Sequence, residues 1–331
     1  MKIFFAVGAR EYLYLLLTCG VKNILCSFAY PEPFFSKKLL KRHGVRLMID
    51  SGAFTAWSQG REVKLEDYLN FIEQNRDVIN DQYIVCLDVI RGGRTDKPTQ
   101  KDYDEAARLG LENYYKMKER GVKSIPVFHQ GENFVWLEKM IQECDYIGVS
   151  ANNDYSDSVK DKWLYECFYV IKKSKKPDIK THGFGITSPA LLAKYPYTSV
   201  DSSAWALTSA FGAILTPYGR ILISEGKNSE EKAKRMVDPN FIENLPEYQR
   251  KKIIDYIESF GFSYQLAKKN YKYRNIINID YFLQMEKRLT EQPTVFSDHQ
   301  QPLFDFLEWD KKRSKKQLER FYPDETPRMY R

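Results

Sequence analysis

At 331 residues, with 43% hydrophobic and 29% charged side chains, the chain has the make-up of an ordinary folded protein and is long enough for a full-sized core. No apolar run approaches the ~18 residues of a spanning helix, and no secretory leader pattern is present, so a cytoplasmic protein with no membrane partner is expected. The 51 basic residues outnumber the 44 acidic ones only modestly, and Cys19, Cys26, Cys86, Cys144 and Cys167 form no CxxC pair, which excludes a disulfide scaffold and predicts reduced, mostly buried thiols.

Short β-branched or aromatic runs alternate with amphipathic segments from residue 2 onward. Strands are predicted at 2–7, 23–28, 46–51, 82–89, 124–129, 146–151, 179–184 and 198–203. Helices fit between them: 64–79 aligns Leu65, Tyr68, Leu69 and Ile72 on one face, and 102–120 aligns Ala106, Leu109 and Met117. Gly20 and Gly121 fall where a helix stops before the next strand. Eight such units predict an α/β protein of the (β/α)8 TIM-barrel class, with its site at the C-terminal strand ends. A doubly wound open sheet is the competing arrangement.

After the eighth strand, residues 212–225 predict a β-hairpin around Pro217, Tyr218 and Gly219. From Ser229 the pattern is helical, with apolar spacing at 248–260 and 275–289. The expected organisation is a barrel core over 1–226 and a mainly helical, basic C-terminal extension over 227–331. Within that extension Lys311, Lys312, Arg313, Lys315 and Lys316 form a cluster suited to following a phosphate backbone, or else a solvated helix face.

Four predicted strands end in polar residues where a buried strand would be apolar: Asp50 in MIDSGAF, Asp88 in CLDVI, Gln130 in FHQG and Asp201 in SVDSSAW. Each alone could be a cap or a turn former. Their recurrence at equivalent ends points to one barrel mouth. In Asp50-Ser51-Gly52-Ala53-Phe54 a glycine lets the backbone approach a flat ligand, and Gly148 with Val149, and His182 with Gly183, bring glycines to two further strands. His129 and His182 fit either catalysis or hydrogen-bonded support. Trp57, Trp205 and Tyr218 fit either base stacking or core packing.

Taken in order, these segments resemble the tRNA-guanine transglycosylase superfamily, and more closely its DNA-directed branch, the 7-deazaguanine transglycosylases of phages and bacteria called DpdA. The resemblance covers about residues 45–225. DSGAF is similar to the family's Asp-Ser-Gly-Gly-Phe motif, which makes Asp50 the implied acid/base residue, with Ser51, Gly52 and Phe54 beside the substrate. Asp88 matches the aspartate that binds the pyrimidine edge of the base, Gln130-Gly131 the Gln-Gly-Gly stretch, and Gly148-Val149 the turn at the base carbonyl. SVDSSAW followed by GAILTPYG resembles the nucleophile segment and its hairpin, so Asp201 is the implied nucleophile. Two departures matter. No cysteine follows Cys167, so the zinc-binding subdomain of the tRNA enzymes has no counterpart here, and Ser203-Ala204-Trp205 stands where they carry Pro-Thr-Arg. Both favour DNA over tRNA.

The residue types fit such chemistry by themselves. Breaking an N-glycosidic bond develops positive charge at C1′, which one carboxylate can stabilise or capture, while a second moves the protons of the departing and entering bases. The expected activity is therefore exchange of guanine in DNA for a 7-deazaguanine base, with no cofactor and no metal. Alternatives are the same exchange on tRNA, hydrolytic release of the base, and a nucleic-acid-binding barrel without catalysis. A homodimer is compatible with the sequence.

Overall fold

The structure, a computed structural model, describes residues 1–79, 83–90, 98–226 and 228–297, apart from the side chains of residues 34 and 35. The basic cluster from Lys311 to Lys316 lies outside the described residues. Nine strand segments, β1 (Lys2–Val7), β2 (Asn23–Ser27), β3 (Arg46–Asp50), β4 (Ile84–Val85), β5 (Ser124–Ile125), β6 (Val127–His129), β7 (Tyr146–Ser150), β8 (Lys180–Phe184) and β9 (Ser199–Ser202), join in the order β5-β4-β3-β2-β1-β9-β8-β7-β6. Every pairing in this sheet is parallel.

The two ends of that order are neighbours in the chain. β5 and β6 are the single strand expected at 124–129, interrupted at Pro126, whose ring leaves no N–H for a ladder. Ile125 O accepts from Cys86 N at 2.8 Å on one side, and Pro126 O accepts from Gly148 N at 2.8 Å on the other. The sheet thereby closes into a (β/α)8 barrel, which excludes the open sheet. Among the described residues of the run expected at 82–89, only Ile84–Val85 form the fourth strand.

Side chains alternate across each strand, as its period of two requires. Ile3, Phe5, Ile24, Cys26, Leu47 and Ile49 face outward into the layer shared with the helices, while Phe4, Leu25, Met48, Tyr83, Val85, Ile125 and Val127 fill the barrel. Gly148 faces inward as well, because the Phe184 ring occupies the space that a Cβ there would need. The crossover helix Gln100–Glu119 starts in a capping box, in which Thr99 Oγ accepts from Asp102 N and the Asp102 carboxylate accepts from Thr99 N. It stops before Gly121, at φ 74°.

Beyond the barrel strands, β10 (Ala213–Thr216) and β11 (Gly219–Leu222) form the expected hairpin. The hairpin shares a second core with Ile253, Ile257, Ala267 and Ile277. The long helix Tyr271–Glu291 belongs to both cores, since its Ile279, Phe282 and Met285 pack into the barrel's outer layer. Polar contacts fix that docking. Buried Arg274 donates to the carbonyls of Ser209, Ala267 and Lys268, which close two helix ends. Buried Asn278 accepts from Leu215 N and donates to Ser209 Oγ, and Glu286 accepts from Ile3 N and Asn23 Nδ2. The helix Tyr271–Glu291 is thus built into the barrel wall, not merely appended to it. Cys26, Cys86, Cys144 and Cys167 are buried and Cys19 is half-buried, all unpaired. Among the described residues no helix is long and apolar enough to cross a membrane.

Candidate active site

The inward alternation that fills the barrel brings polar residues to its C-terminal end. Asp50 ends β3, His129 ends β6, Asp201 lies on β9, and Asp88 follows β4. The three aspartates share one field: Asp88 and Asp201 both act on Asp50 as like charges.

Asp50 is held by the fold immediately around it. Gly52 N donates to its Oδ2 at 3.1 Å, and Ser27 hydrogen-bonds the same carboxyl. Gly52 adopts φ 76°, and an added Cβ would lie 2.9 Å from Ala29 Cβ, so glycine is required for this turn. Burial, and then the neighbouring charge of Asp88, push the Asp50 carboxyl up to about 6, against the lesser pull of the Ser27 and Gly52 hydrogen bonds.

Asp88 is gripped from two sides. Ser51 Oγ donates to its Oδ1 at 3.0 Å, and His129 Nε2 lies 3.1 Å from its Oδ2. His129 Nδ1 in turn lies 3.2 Å from Glu132 Oε1, whose carboxyl also accepts from His129 N at 3.0 Å. Desolvation by itself would lower the His129 pKa, but the hydrogen bonds with Asp88 and Glu132 outweigh it and raise the imidazole to about 10. The result is a cationic ring between two anions, in a site otherwise rich in carboxylates.

Asp201 Oδ1 accepts from Gly185 N at 2.9 Å and lies 3.4 Å from His182 Nε2. His182 is wholly buried beneath it, inside the barrel, with Nδ1 2.6 Å from Ser199 Oγ. Ser199 Oγ also meets the Tyr146 hydroxyl.

The remaining expected site residues divide. Gln130 stands beside the mouth with Oε1 accepting from Asn152 N, and its amide nitrogen meets no acceptor among the described residues. Gly131, at φ 114°, lies against the Tyr103 ring, and Phe54 is 63% exposed near Trp57. Gly148 lines the barrel interior, but its amide already donates to Pro126 O. Val149 packs in the outer layer, and a Cβ on Gly183 would meet Tyr197 and Val200 of that same layer, so both turn away from the mouth. Trp205 is core, donating from Nε1 to Ala6 O, whereas Tyr218 is exposed at the hairpin tip.

Glu132 and Ser27 did not emerge from the sequence, nor did Gly185 as a ligand of Asp201. Glu132 had a readable signal: it stands three residues after His129, close enough to bond both the ring and the backbone nitrogen. Ser27 had none, since its relation to Asp50 exists only through the β2–β3 register.

Chemically the mouth offers a proton-exchanging carboxyl, a carboxylate pinned by one oxygen and a carboxylate buffered by an imidazolium. No group of three or more His, Cys, Asp or Glu side chains suited to a metal ion occurs among the described residues. No protein-family model matches the chain, and no curated protein does.

Proposed function

We propose that the chain is a base-exchanging transglycosylase that replaces guanine in DNA with a 7-deazaguanine. The observation that carries this reading is the pairing of Asp50, raised to about 6, with Asp201 at one barrel mouth. Those are the two tasks the reaction divides between carboxyl groups. The resemblance of DSGAF and SVDSSAW to the transglycosylase motifs supports the same assignment, and the lack of any cysteine after Cys167 supports DNA over tRNA.

The target guanine must first leave the base stack. Asp201 Oδ2 attacks C1′, the C1′–N9 bond breaks, and the departing guanine keeps the electron pair and takes the Asp50 proton. The entering base then gives its N9 proton to ionised Asp50, and its nitrogen attacks C1′ and releases Asp201. Asp88 accepts from the N1 and N2 hydrogens of the base, and Gln130 Nε2 donates to its carbonyl. His129 Nε2, 3.1 Å from Asp88 Oδ2, holds that carboxyl in place beside the base.

The test is incubation of the full chain with duplex DNA and, in parallel, tRNA, each with labelled 7-cyano-7-deazaguanine. Label entering DNA, and a DNA adduct on denaturing gels that is lost in Asp201→Asn, is the expected result. Base release without incorporation would make it a hydrolase, label in tRNA alone would move the substrate, and binding without chemistry would overturn the reading.

A further inference from the structure

We infer that His182 is a positioning residue for Asp201, donating from Nε2 to Oδ1 so that Oδ2 is left as the attacking oxygen. This rests on reading Asp201 as the nucleophile.

The orientation follows from the order of donors. An ionised carboxylate has no hydrogen to give, so the imidazole nitrogen that faces Asp201 Oδ1, Nε2, must carry the proton. Nδ1 is then a bare acceptor, and the Ser199 hydroxyl at 2.6 Å supplies its donor. Ser199 in turn accepts from the Tyr146 hydroxyl. Each link therefore points from Tyr146 towards Asp201. His182 and Ser199 have no exposed surface, so water cannot take the place of either partner.

At 3.4 Å the last link is long, as catalytic hydrogen bonds commonly are before substrate is bound. Gly185 N, at 2.9 Å, donates to the same Oδ1. With two donors on one oxygen the carboxylate cannot rotate freely, and Oδ2 meets no donor among the described residues. When the sugar is released, the charge returning to Asp201 is met by donors already in place. The Phe4 and Phe184 rings beside the imidazole, 6.2 and 4.4 Å between centroids, hold it edge-on in this orientation.

Two measurements decide the inference. Ring-nitrogen shifts of ¹⁵N-histidine-labelled protein, which has four histidines, should show His182 protonated at Nε2 and bare at Nδ1, and Ser199→Ala should move the proton to Nδ1. A proton on Nδ1 in the wild type would overturn the inference. In DNA adduct assays His182→Leu should slow adduct formation about ten- to a hundredfold with KM for DNA unchanged. His182→Gln, which restores a donor and an acceptor, should recover part of it. A raised KM with an unchanged adduct rate would make His182 a substrate contact instead. Wild-type protein that forms no adduct would sink the proposed reaction, while the nitrogen shifts would still decide the orientation.

Discussion

The carboxyl of Asp50 and the imidazole of His129 are both displaced upward, so each favours the folded state most at low pH and less as pH rises. Asp50 has a folded pKa of about 6, above its ordinary 3.8, so its contribution to stability is present below about pH 4 and is lost as pH rises through 6. Asp50→Asn should therefore raise stability at pH 8, by about 1 to 3 kcal/mol, and change little at pH 4. Chemical denaturation at the two pH values checks this, and a variant less stable at pH 8 would contradict it. In the proposed reaction the adduct-forming step needs protonated Asp50, so its rate should fall above pH 6 in the wild type. His129, raised to about 10 from 6.5, stabilises below about pH 6.5 and loses that contribution as pH rises through 10. Removing it leaves nearly buried Glu132 facing Asp88 with no cation between them. His129→Gln should cost roughly 3 kcal/mol at pH 7 and flatten the decline in stability between pH 7 and 10. A melting curve that keeps the wild-type slope would show that another group titrates there.

Elements place these residues with differing degrees of transparency. Asp50, Asp88 and Asp201 were legible because a charged residue at the end of an apolar β-branched run breaks the pattern of a buried strand, and the strands themselves repeat with a regular crossover. Pro126 was visible in the sequence, but its effect of dividing one strand into two segments that serve opposite neighbours depends on closure of the sheet. The hairpin was readable from Pro217-Tyr218-Gly219. The way the long terminal helix attaches was not, because among the described residues Arg274 pairs with no carboxylate that charge spacing would reveal: its partners are backbone carbonyls. Arg274→Met should cost about 2 to 4 kcal/mol, since the methionine fills the space but leaves those carbonyls without a donor. Thermal denaturation within 1 °C of wild type would mean that the helix ends find other donors.

At the scale of the whole molecule, the proposed DNA partner calls for cationic surface, and the sequence concentrates it in Lys311, Lys312, Arg313, Lys315 and Lys316. Clustered lysines contact phosphates and carry no base information. Deleting residues 311–331 should weaken DNA binding about equally on unrelated sequences and make its logarithmic salt dependence shallower. A changed sequence preference at an unchanged salt slope would place base reading in this segment. The barrel should survive the deletion, because the wall is completed by Ile279, Phe282 and Met285 upstream of it.

Pairing around the barrel is uneven. β2 meets β3 over five residue pairs and β7 meets β8 over five, but among the described residues β3 meets β4 at the single pair Ile49–Ile84, and β4 meets β5 at two. Rupture at this seam breaks few bonds, so the barrel should breathe there first. In deuterium exchange followed by NMR, the amides of Ile84, Val85 and Cys86 should be replaced well before those of Leu25 and Met48, and equal protection would mean that the seam holds as firmly as the rest. Asp50 stands on the firm side of the seam and Asp88 follows the loose one. In the proposed reaction, opening at the seam would draw Asp88 away from Asp50, so the mouth would have one jaw that yields while the other stays fixed.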